Sequence, residues 1–364
     1  MQKSAMATED KHIPYSTVIR DTYTVDSFLG KGNFADVYKV RHRFMGMQAM
    51  KVLRDIRTVQ EREQGLYEAF QLSRFSHPAI VRVFDGNCLE KIHGGFPYVT
   101  MELVDGGTLG DISKSSGKNF VRDVLDAAVQ LASAIGHAHN QLPTILHRDI
   151  KPSNVLITRG EGNSLQLRLA DFGLAVPINA ITGFAVAAGT LAYRSPESLD
   201  GFEIPASDVY AYGLTMYESM TGVFPFLAVL QSKQENLTQT IAALKEAQAA
   251  AIEPPSYYRH AVHPAIDAIV MRCLAFEYQA RITNGQALEI AVNAMRKAVE
   301  GDPTPSQDVK NALVIARDCK HTQQAVEALS KALRANPQAG LAYMPMLSFL
   351  QSEVIRLASG LSKL

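Results

Sequence analysis

The residues whose types and spacing could do chemistry are concentrated in one stretch, His147-Arg148-Asp149-Ile150-Lys151-Pro152-Ser153-Asn154. It fits the pattern H-R-D-x-x-x-x-N position by position, and Asp171-Phe172-Gly173 follows further along the chain. Phosphoryl transfer depends on positioning and charge neutralisation and needs little covalent help. We expect Asp149 to accept the proton of a substrate hydroxyl and Lys151 to stabilise the transferring group. Asn154 and Asp171 offer the oxygen ligands that Mg²⁺ prefers.

Each of these parts also has an ordinary structural explanation. Aspartate and asparagine in a loop usually make turns, and an Asp-Phe-Gly tripeptide occurs by chance. The order of the motifs favours the functional interpretation. Ser195-Pro196-Glu197 closes the segment that begins at Asp171, and a glycine-rich loop and a lysine precede the whole set.

The glycine-rich loop is Gly30-Lys31-Gly32-Asn33-Phe34-Ala35. Taken alone, it could be a hairpin turn in which glycine supplies a positive φ, and Ala35 replaces the third glycine of the G-x-G-x-x-G pattern. A dinucleotide-binding fold would need a helix after the loop. Val37 to Val40 alternates like a strand instead, so we expect Gly30 and Gly32 to form a flap over phosphates.

Lys51 lies at the end of a predicted strand that should otherwise be buried. A surface lysine on an edge strand is the simpler alternative, because lysines are seldom buried without a partner. The functional interpretation needs a carboxylate, and Glu68 on the following predicted helix supplies it. A Lys51–Glu68 pair would hold the ammonium near the α- and β-phosphates. Glu61 and Glu63 are alternatives on the same helix that we expect to be solvated.

The elements that position these residues change along the chain from strands to helices. Period-two alternation predicts strands at 23–25, 37–40, 47–52, 80–84 and 97–104. Helical spacing predicts helices at 58–75, 119–140, 205–221, 236–251, 263–276 and 284–299. We therefore expect an α+β fold with a lead-in at 1–20, a small β-rich lobe at 21–104, a helical lobe at 105–300 and a helical extension at 301–364.

Composition limits the classes of partner. The chain has 364 residues, and its 36 Lys+Arg balance its 36 Asp+Glu. This neutral balance argues against nucleic acid or an anionic membrane as the main partner.

The three cysteines are widely spaced, which indicates neither a zinc site nor a disulfide framework, and reduced thiols are typical of a cytoplasmic protein. No stretch reaches the ~18 apolar residues of a membrane span, and residues 1–10 do not form a signal peptide.

With these motifs in place, the sequence resembles the eukaryotic-type serine/threonine protein kinases, most of all their bacterial members, over residues 23–299. His77-Pro78-Ala79-Ile80-Val81, Thr100 to Leu109 and Asp208-Val209-Tyr210-Ala211-Tyr212-Gly213 also match family segments. The resemblance implies the two-lobed kinase fold, a structural role for Asp208, and a pair between Arg281 and Glu197.

The resemblance further implies ATP and Mg²⁺ as cofactors, with Mn²⁺ as a substitute, in a site between the lobes. Met101 matches the gatekeeper, and the backbone of Glu102 and Val104 would bind the adenine edge. The remaining adenine contacts would come from apolar side chains, namely Leu29, Val37, Ala49 and Leu156.

Two features of the resemblance indicate serine or threonine as the acceptor. Lys151-Pro152-Ser153-Asn154 resembles the loop of serine/threonine kinases, and Thr190 matches the threonine that contacts the catalytic aspartate in them. A protein substrate is implied, including the chain itself.

Arg148 marks a kinase whose catalytic loop carries a basic pocket, often filled by a phosphate of the activation loop. Residues 174–194 are nevertheless unusually apolar, and Thr182 and Thr190 are their only hydroxyl-bearing Ser/Thr residues. Either phosphorylated Thr182 pairs with Arg148, or the loop orders by hydrophobic packing without phosphate.

The C-terminal stretch carries Ala325, Leu329, Ala332 and Pro337 at spacings resembling the second helix of a tetratricopeptide unit, although Leu313 stands where a small residue is expected. A single unit cannot bury its own face. Residues 301–364 are therefore either a helical extension packed on the large lobe or an element for docking a partner or a second copy.

Two other functions compete with a protein kinase. A pseudokinase scaffold usually lacks the lysine or one of the aspartates, whereas Lys51, Asp149 and Asp171 are all present. A kinase for a small molecule would lack a segment like Ser195-Pro196-Glu197 and a residue like Thr190.

Overall fold

A computed structural model describes residues 13–32, 35–54, 76–93, 95–113, 120–172, 191–232 and 236–361. The predicted helix at 58–75, with Glu61, Glu63 and Glu68, lies outside these residues, as do Thr182 and Thr190. The described chain forms two compact units. The first contains the residues before 77 and Val81–Val104, and the second contains His77–Ile80 and the residues from Asp105 onward.

The first unit is an antiparallel sheet of six strands in the order β1-β2-β3-β4-β6-β5. The strands are β1 (Val18–Ile19), β2 (Tyr23–Lys31), β3 (Ala35–His42), β4 (Gly46–Leu53), β5 (Val83–Cys88) and β6 (Pro97–Glu102). Residues two apart on β2, β3 and β4 are buried on one face of the sheet, namely Tyr23 and Val25, Tyr38 and Val40, and Met50 and Val52. This core is formed by apolar and aromatic residues: Ile19, Tyr23, Val25, Tyr38, Val40, Met50, Val52, Leu89 and Tyr98.

The predicted strand at 80–84 is wrong in its bounds. The strand there, β5, begins at Val83, whereas Ile80 makes an isolated parallel bridge to Leu169 in the second unit. Ile80 and Val81 are buried, with 5% and 6% of their surface exposed, and their apolar character reflects this burial and not membership of a strand. Within the described part of the sheet β5 is an edge strand beside β6, and its sequence Val-Phe-Asp-Gly-Asn-Cys lacks clear alternation.

The second unit is mainly helical and carries a small antiparallel sheet. The sheet strands are β7 (Gly107–Thr108), β8 (Val155–Arg159) and β9 (Leu165–Leu169), in that order. The helices before the extension are α1 (Leu109–Ser113), α2 (Phe120–His139), α3 (Pro196–Leu199), α4 (Pro205–Thr221), α5 (Leu227–Gln231), α6 (Leu237–Ala249), α7 (Pro255–Tyr258), α8 (Pro264–Cys273) and α9 (Gly285–Gly301).

Local sequence explains where these helices begin. The side chains of Asn236 and Asn284 accept backbone N–H groups at the starts of α6 and α9, and proline occupies the first turn of α4 and α8. The helices predicted at 119–140, 205–221, 236–251, 263–276 and 284–299 are present, with bounds that differ by no more than three residues.

The extension continues the second unit as α10 (Gln307–Ala316), α11 (Thr322–Ala335) and α12 (Gly340–Leu361). Arg317, just after α10, forms an ion pair with Asp267 of α8, and Asp267 is fully buried. Ala325, Leu329 and Ala332 lie buried on α11. These contacts favour an extension packed on the large lobe. Among the described helices, none has both the length and the apolar character needed to cross a membrane.

Candidate active site

Three polar side chains converge where the sequence predicts catalysis. The ammonium of Lys151 donates to Oδ2 of Asp149 at 2.7 Å. The amide nitrogen of Asn154 donates to the same Oδ2 and to the backbone carbonyl of Asp149, both at 2.8 Å. The side chains of Asp149 and Lys151 are 25% and 22% exposed, so a substrate can reach them. The carboxylate is therefore held in one orientation by two donors.

A buried carboxylate fixes the backbone of this loop. Asp208 of α4 accepts the N–H groups of His147 at 2.7 Å and Arg148 at 2.8 Å. Arg148 has a φ of 67°, a left-handed conformation that is uncommon for a residue with a side chain. Two charge-assisted hydrogen bonds compensate the cost of this conformation. Burial alone would raise the pKa of Asp208, but its hydrogen bond with His139 and the charges and N–H groups around it lower that pKa.

His139 continues this set of contacts to another helix. Its Nε2 lies 3.0 Å from Oδ2 of Asp208, and its Nδ1 accepts the N–H of Gly285 at 2.9 Å. Because Nδ1 accepts, Nε2 is the nitrogen that donates to Asp208. Sequence reasoning missed His139, whose only signal is a histidine at the end of a helix eight residues before His147.

His147 joins the catalytic loop to the segment that follows β9. Its Nε2 donates to the carbonyl of Ala170 at 2.8 Å, and its Nδ1 accepts the N–H of Asp149 at 3.2 Å. Its ring centroid lies 4.4 Å from that of Phe172. Complete burial lowers the pKa of His147, which agrees with a neutral ring that donates at one nitrogen and accepts at the other.

The β8–β9 hairpin brings the two predicted metal ligands to one end. Asn154 precedes β8 and Asp171 follows β9, and the register pairs Val155 with Leu169. The N–H of Ala170 donates to the carbonyl of Asn154 at 2.9 Å. Asp171 then turns out of the strand with a φ of 66°.

The donor set here suits Mg²⁺. The amide nitrogen of Asn154 donates to Asp149, so the amide oxygen is the atom that Asn154 can offer to a cation. Asp171 adds a carboxylate. Among the described residues, no three His, Cys, Asp or Glu side chains form a cage for a metal. Mg²⁺ is commonly bound by one or two protein ligands together with water and substrate phosphate oxygens.

An ion pair buried in the second unit anchors the segment that leads away from the site. Nη1 of Arg281 donates to Oε1 of Glu197 at 2.7 Å, and Nη2 donates to Oε2 at 3.1 Å. Arg281 is fully buried and Glu197 is 7% exposed. Burial would raise the pKa of Glu197, but the Arg281 guanidinium outweighs it and lowers that pKa. The pair implied by the sequence is present.

Residues just before Glu197 lie within electrostatic range of Asp149. The hydroxyl of Tyr193 donates to Glu218 of α4. Burial raises the pKa of Tyr193 most, and the carboxylates of Glu218 and Asp149 raise it further. Nε of Arg148 is buried and has no hydrogen-bond partner within the described part of the chain.

The first unit holds the residues predicted for the nucleotide. Lys51 is half-buried on β4, opposite Val37 on β3 and Val99 on β6. Ala49 lies opposite Met101, and the N–H of Glu102 donates to the Arg82 carbonyl at 2.8 Å.

The glycine-rich turn is partly described. Gly30 pairs with Val37, and a Cβ at Gly30 would meet no atom within 4 Å. The N–H of Gly32 donates to the Ala35 carbonyl at 2.7 Å, and a Cβ at Gly32 would lie 3.3 Å from that oxygen, so glycine keeps this turn tight. Three further residues predicted to contact the adenine are at least partly exposed. Leu29 is 49% exposed and Val104 is half-buried in the first unit, and Leu156 is half-buried on β8 in the second unit.

Comparison with known families gives one match over most of the chain. The sequence pattern of the family described as "Protein kinase domain" matches residues 23–292. Serine/threonine-protein kinase PknB of Mycolicibacterium smegmatis is 32% identical over 269 residues, which cover 71% of this chain and 40% of the relative. A probable serine/threonine-protein kinase of Streptomyces coelicolor, SCO3848, is 29% identical over 299 residues, which cover 80% of this chain and 42% of the relative.

A solved structure agrees with this match. The PknI kinase domain of Mycobacterium tuberculosis superimposes with a TM-score of 0.58 at 25% identity, over 78% of this chain and 100% of that domain. The chain spans about two fifths of the length of the curated relatives it matches.

Proposed function

The chain belongs to the protein kinase domain family, and from that premise we propose that it transfers the γ-phosphate of ATP to serine or threonine hydroxyls of a protein substrate, its own included. One observation carries the proposal. Asp149, Lys151 and Asn154 are joined by hydrogen bonds of 2.7–2.8 Å on a loop whose backbone Asp208 holds. This arrangement supplies a fixed carboxylate beside a cation at a surface a protein substrate can reach.

Asp149 acts as the acceptor for the substrate hydroxyl proton. Its Oδ2 already receives Lys151 and Asn154, so its other carboxylate oxygen is the one available to the hydroxyl. Orientation by two donors keeps that oxygen aligned without reorganisation during transfer. Lys151 keeps a positive charge beside the acceptor and stabilises negative charge on the transferring group.

Asn154 and Asp171 would hold Mg²⁺, or Mn²⁺ in its place, at the end of the β8–β9 hairpin. When bound, the metal neutralises charge on the phosphates.

In the first unit, Lys51 would bind the α- and β-phosphates, and Gly30 and Gly32 would cover them. Glu68, outside the described residues, is proposed as the partner of Lys51. The adenine would contact the side chains of Leu29, Val37, Ala49, Met101 and Leu156 and the backbone of Glu102 and Val104.

Two mechanisms for switching the enzyme on remain as alternatives. A phosphate on Thr182 would supply the acceptor that Nε of Arg148 lacks among the described residues. Packing of the apolar stretch at 174–194 would order the loop without phosphate. Mass spectrometry of the active enzyme separates them, since phosphate on Thr182 in high yield supports the first mechanism and its absence supports the second.

The wider setting is also a proposal. Three free cysteines and the use of ATP support a cytoplasmic location. The balance of charge supports a protein substrate and gives no reason to expect nucleic acid. Residues 301–364 could also meet a partner or a second copy, and sizing of the purified chain tests self-association.

Incubation with labelled ATP and Mg²⁺ tests the function. We expect label on a generic protein substrate such as casein and on the chain itself, with phosphoserine or phosphothreonine after hydrolysis. Absence of transfer to any acceptor would indicate a pseudokinase scaffold. Transfer to a small molecule but to no protein would indicate a small-molecule kinase.

A further inference from the structure

The last helix, α12, binds the stretch of backbone that carries Arg281. Nη1 of Arg356 donates to the carbonyl of Gln279 at 2.8 Å. Nη2 donates to the carbonyls of Ala280 at 3.3 Å and Arg281 at 3.0 Å. One guanidinium thus binds three consecutive carbonyls, which fixes the path of this turn more firmly than a single hydrogen bond would.

The Arg356 side chain is itself held in place. Glu353, one turn earlier on α12, accepts Nε of Arg356 at 2.8 Å and Nη2 at 2.7 Å. Glu353 is 4% exposed and also lies 3.5 Å from the guanidinium of Arg272, a fully buried residue of α8. A buried carboxylate between two guanidiniums holds the Arg356 side chain in one orientation, whereas an ion pair at the surface would leave it mobile.

The turn bound by Arg356 is connected through Arg281 to Glu197, which ends the segment that begins at Asp171. The carbonyl of Arg281 meets Arg356, while its side chain binds Glu197 and the carbonyl of Ala206. Glu197 follows Tyr193, whose pKa the Asp149 carboxylate helps to raise. Hydrogen bonds join Arg356 to Arg281 and Arg281 to Glu197, and Tyr193 lies four residues before Glu197 on the same segment of the second unit.

We propose that Arg356 is a positioning residue for phosphate transfer to protein substrates, acting through Arg281 on the segment that ends at Glu197. The proposal rests on the proposed kinase function. It assigns a role in the reaction to a helix outside the family match, which ends at residue 292. Loss of Arg356 would release the 279–281 turn and let Arg281 and Glu197 shift, which changes how a protein acceptor meets Asp149. The Asn154 and Asp171 ligands do not depend on this contact.

Arg317 provides a matched control. It also joins the extension to the large lobe, through Nη2 to Asp267 at 2.5 Å, and its side chain is 23% exposed against 26% for Arg356. Its ion pair does not involve the 279–281 turn. The variants Arg356→Ala and Arg317→Ala therefore both weaken the docking of the extension, but only the first removes the proposed positioning contact.

The experiment compares melting temperature, ATP hydrolysis without protein, and kcat/KM for a protein substrate. We expect both variants to melt earlier than wild type. Arg356→Ala should lose ~10-fold in kcat/KM for the protein, less than the ~10²-fold that a misplacement of 1 Å can cost. Its ATP hydrolysis and its KM for ATP should stay at the wild-type level. Arg317→Ala should keep the wild-type ATP hydrolysis, KM for ATP and kcat/KM for the protein substrate.

The conservative variant Arg356→Lys keeps the charge beside Glu353 with fewer donors, and it should recover part of the lost activity. If Arg356→Ala does not fold, Arg356→Lys is compared with wild type alone, and we expect a reduced kcat/KM for the protein with unchanged ATP hydrolysis. Equal losses of kcat/KM in Arg356→Ala and Arg317→Ala would overturn the proposal. Wild-type kcat/KM in Arg356→Ala or, where that variant does not fold, in Arg356→Lys would also overturn it. Absence of transfer in the wild type would instead contradict the kinase function itself.

Discussion

The imidazole of His139 lies 3.0 Å from the carboxylate of Asp208, and the same carboxylate accepts the backbone N–H groups of His147 and Arg148. Through this contact α2, α4 and the catalytic loop share one buried charge. The geometry of Asp149 therefore depends on residues that do not touch any substrate.

Replacing Asp208 with asparagine tests this dependence. One acceptor oxygen and the negative charge are lost, so two charge-assisted hydrogen bonds to the loop weaken. Hydrogen bonds to charged groups contribute about 1.5–3 kcal/mol each, and we expect Asp208→Asn to lower the free energy of unfolding by about 3 kcal/mol and to reduce kcat. Denaturant unfolding and a transfer assay measure both. Asp200→Asn, at an aspartate 51% exposed, is the control and should change neither.

Removal of Arg281 should be among the most destabilising single changes in the large lobe. Arg281→Met leaves the buried Glu197 carboxylate without its cation, and breaking a buried pair typically costs 3–5 kcal/mol, so we expect a loss of about that size. Lys245→Met breaks the more exposed pair with Asp200 and should cost about 0–1 kcal/mol. Urea unfolding of the two variants compares them, and equal losses would contradict a structural role for the Arg281–Glu197 pair.

Histidine titration should make the fold less stable in mild acid. Burial lowers the pKa of His147 and His263 from the ordinary value of 6.5. Just below pH 6.5 these histidines bind protons in the unfolded chain but not in the folded chain. The contribution of the neutral histidines to the free energy of unfolding is therefore present above pH 6.5 and is lost as the pH falls. Asp267 and Glu203, whose pKa values burial raises, act in the opposite direction at lower pH.

The variant His263→Gln isolates one of these contributions. Its free energy of unfolding, measured by denaturant between about pH 7.5 and 5.5, should fall less steeply than that of wild type, because glutamine does not titrate. Identical slopes for the two proteins would contradict the assignment of a neutral, buried His263.

Transfer should require a divalent cation held by Asp171 and Asn154. Chelation with EDTA should abolish activity, and Mg²⁺ or Mn²⁺ should restore it. Asp171→Asn removes a charged ligand, so it should raise the Mg²⁺ concentration for half-maximal activity, whereas Asp200→Asn should not. Unchanged Mg²⁺ dependence in Asp171→Asn would contradict the proposed metal site.

Much of the site could be predicted because its parts lie close together in sequence. Asp149, Lys151 and Asn154 fall within six residues, so a loop of almost any path brings them together. The helices followed from apolar periodicity. The Arg281–Glu197 pair needed the family resemblance, because 84 residues separate its members.

Other contacts could not be predicted, since only tertiary packing creates them. His139 and Arg356 each act on a distant backbone group, and no local pattern indicates which carbonyl or N–H a side chain will meet. The bounds of β5 do not follow from the pattern, because Ile80 and Val81 are apolar and buried outside the strand, whereas Asp85-Gly86-Asn87 inside it does not alternate.

The most direct test of the central claim compares wild type with Asp149→Asn in the transfer of labelled phosphate from ATP to a protein. Asparagine preserves the shape of the side chain but cannot accept the hydroxyl proton. We expect transfer to fall by ~10²–10⁴ while ATP binding and the melting temperature remain close to wild type. Transfer at the wild-type rate by Asp149→Asn would contradict the role of Asp149 as proton acceptor.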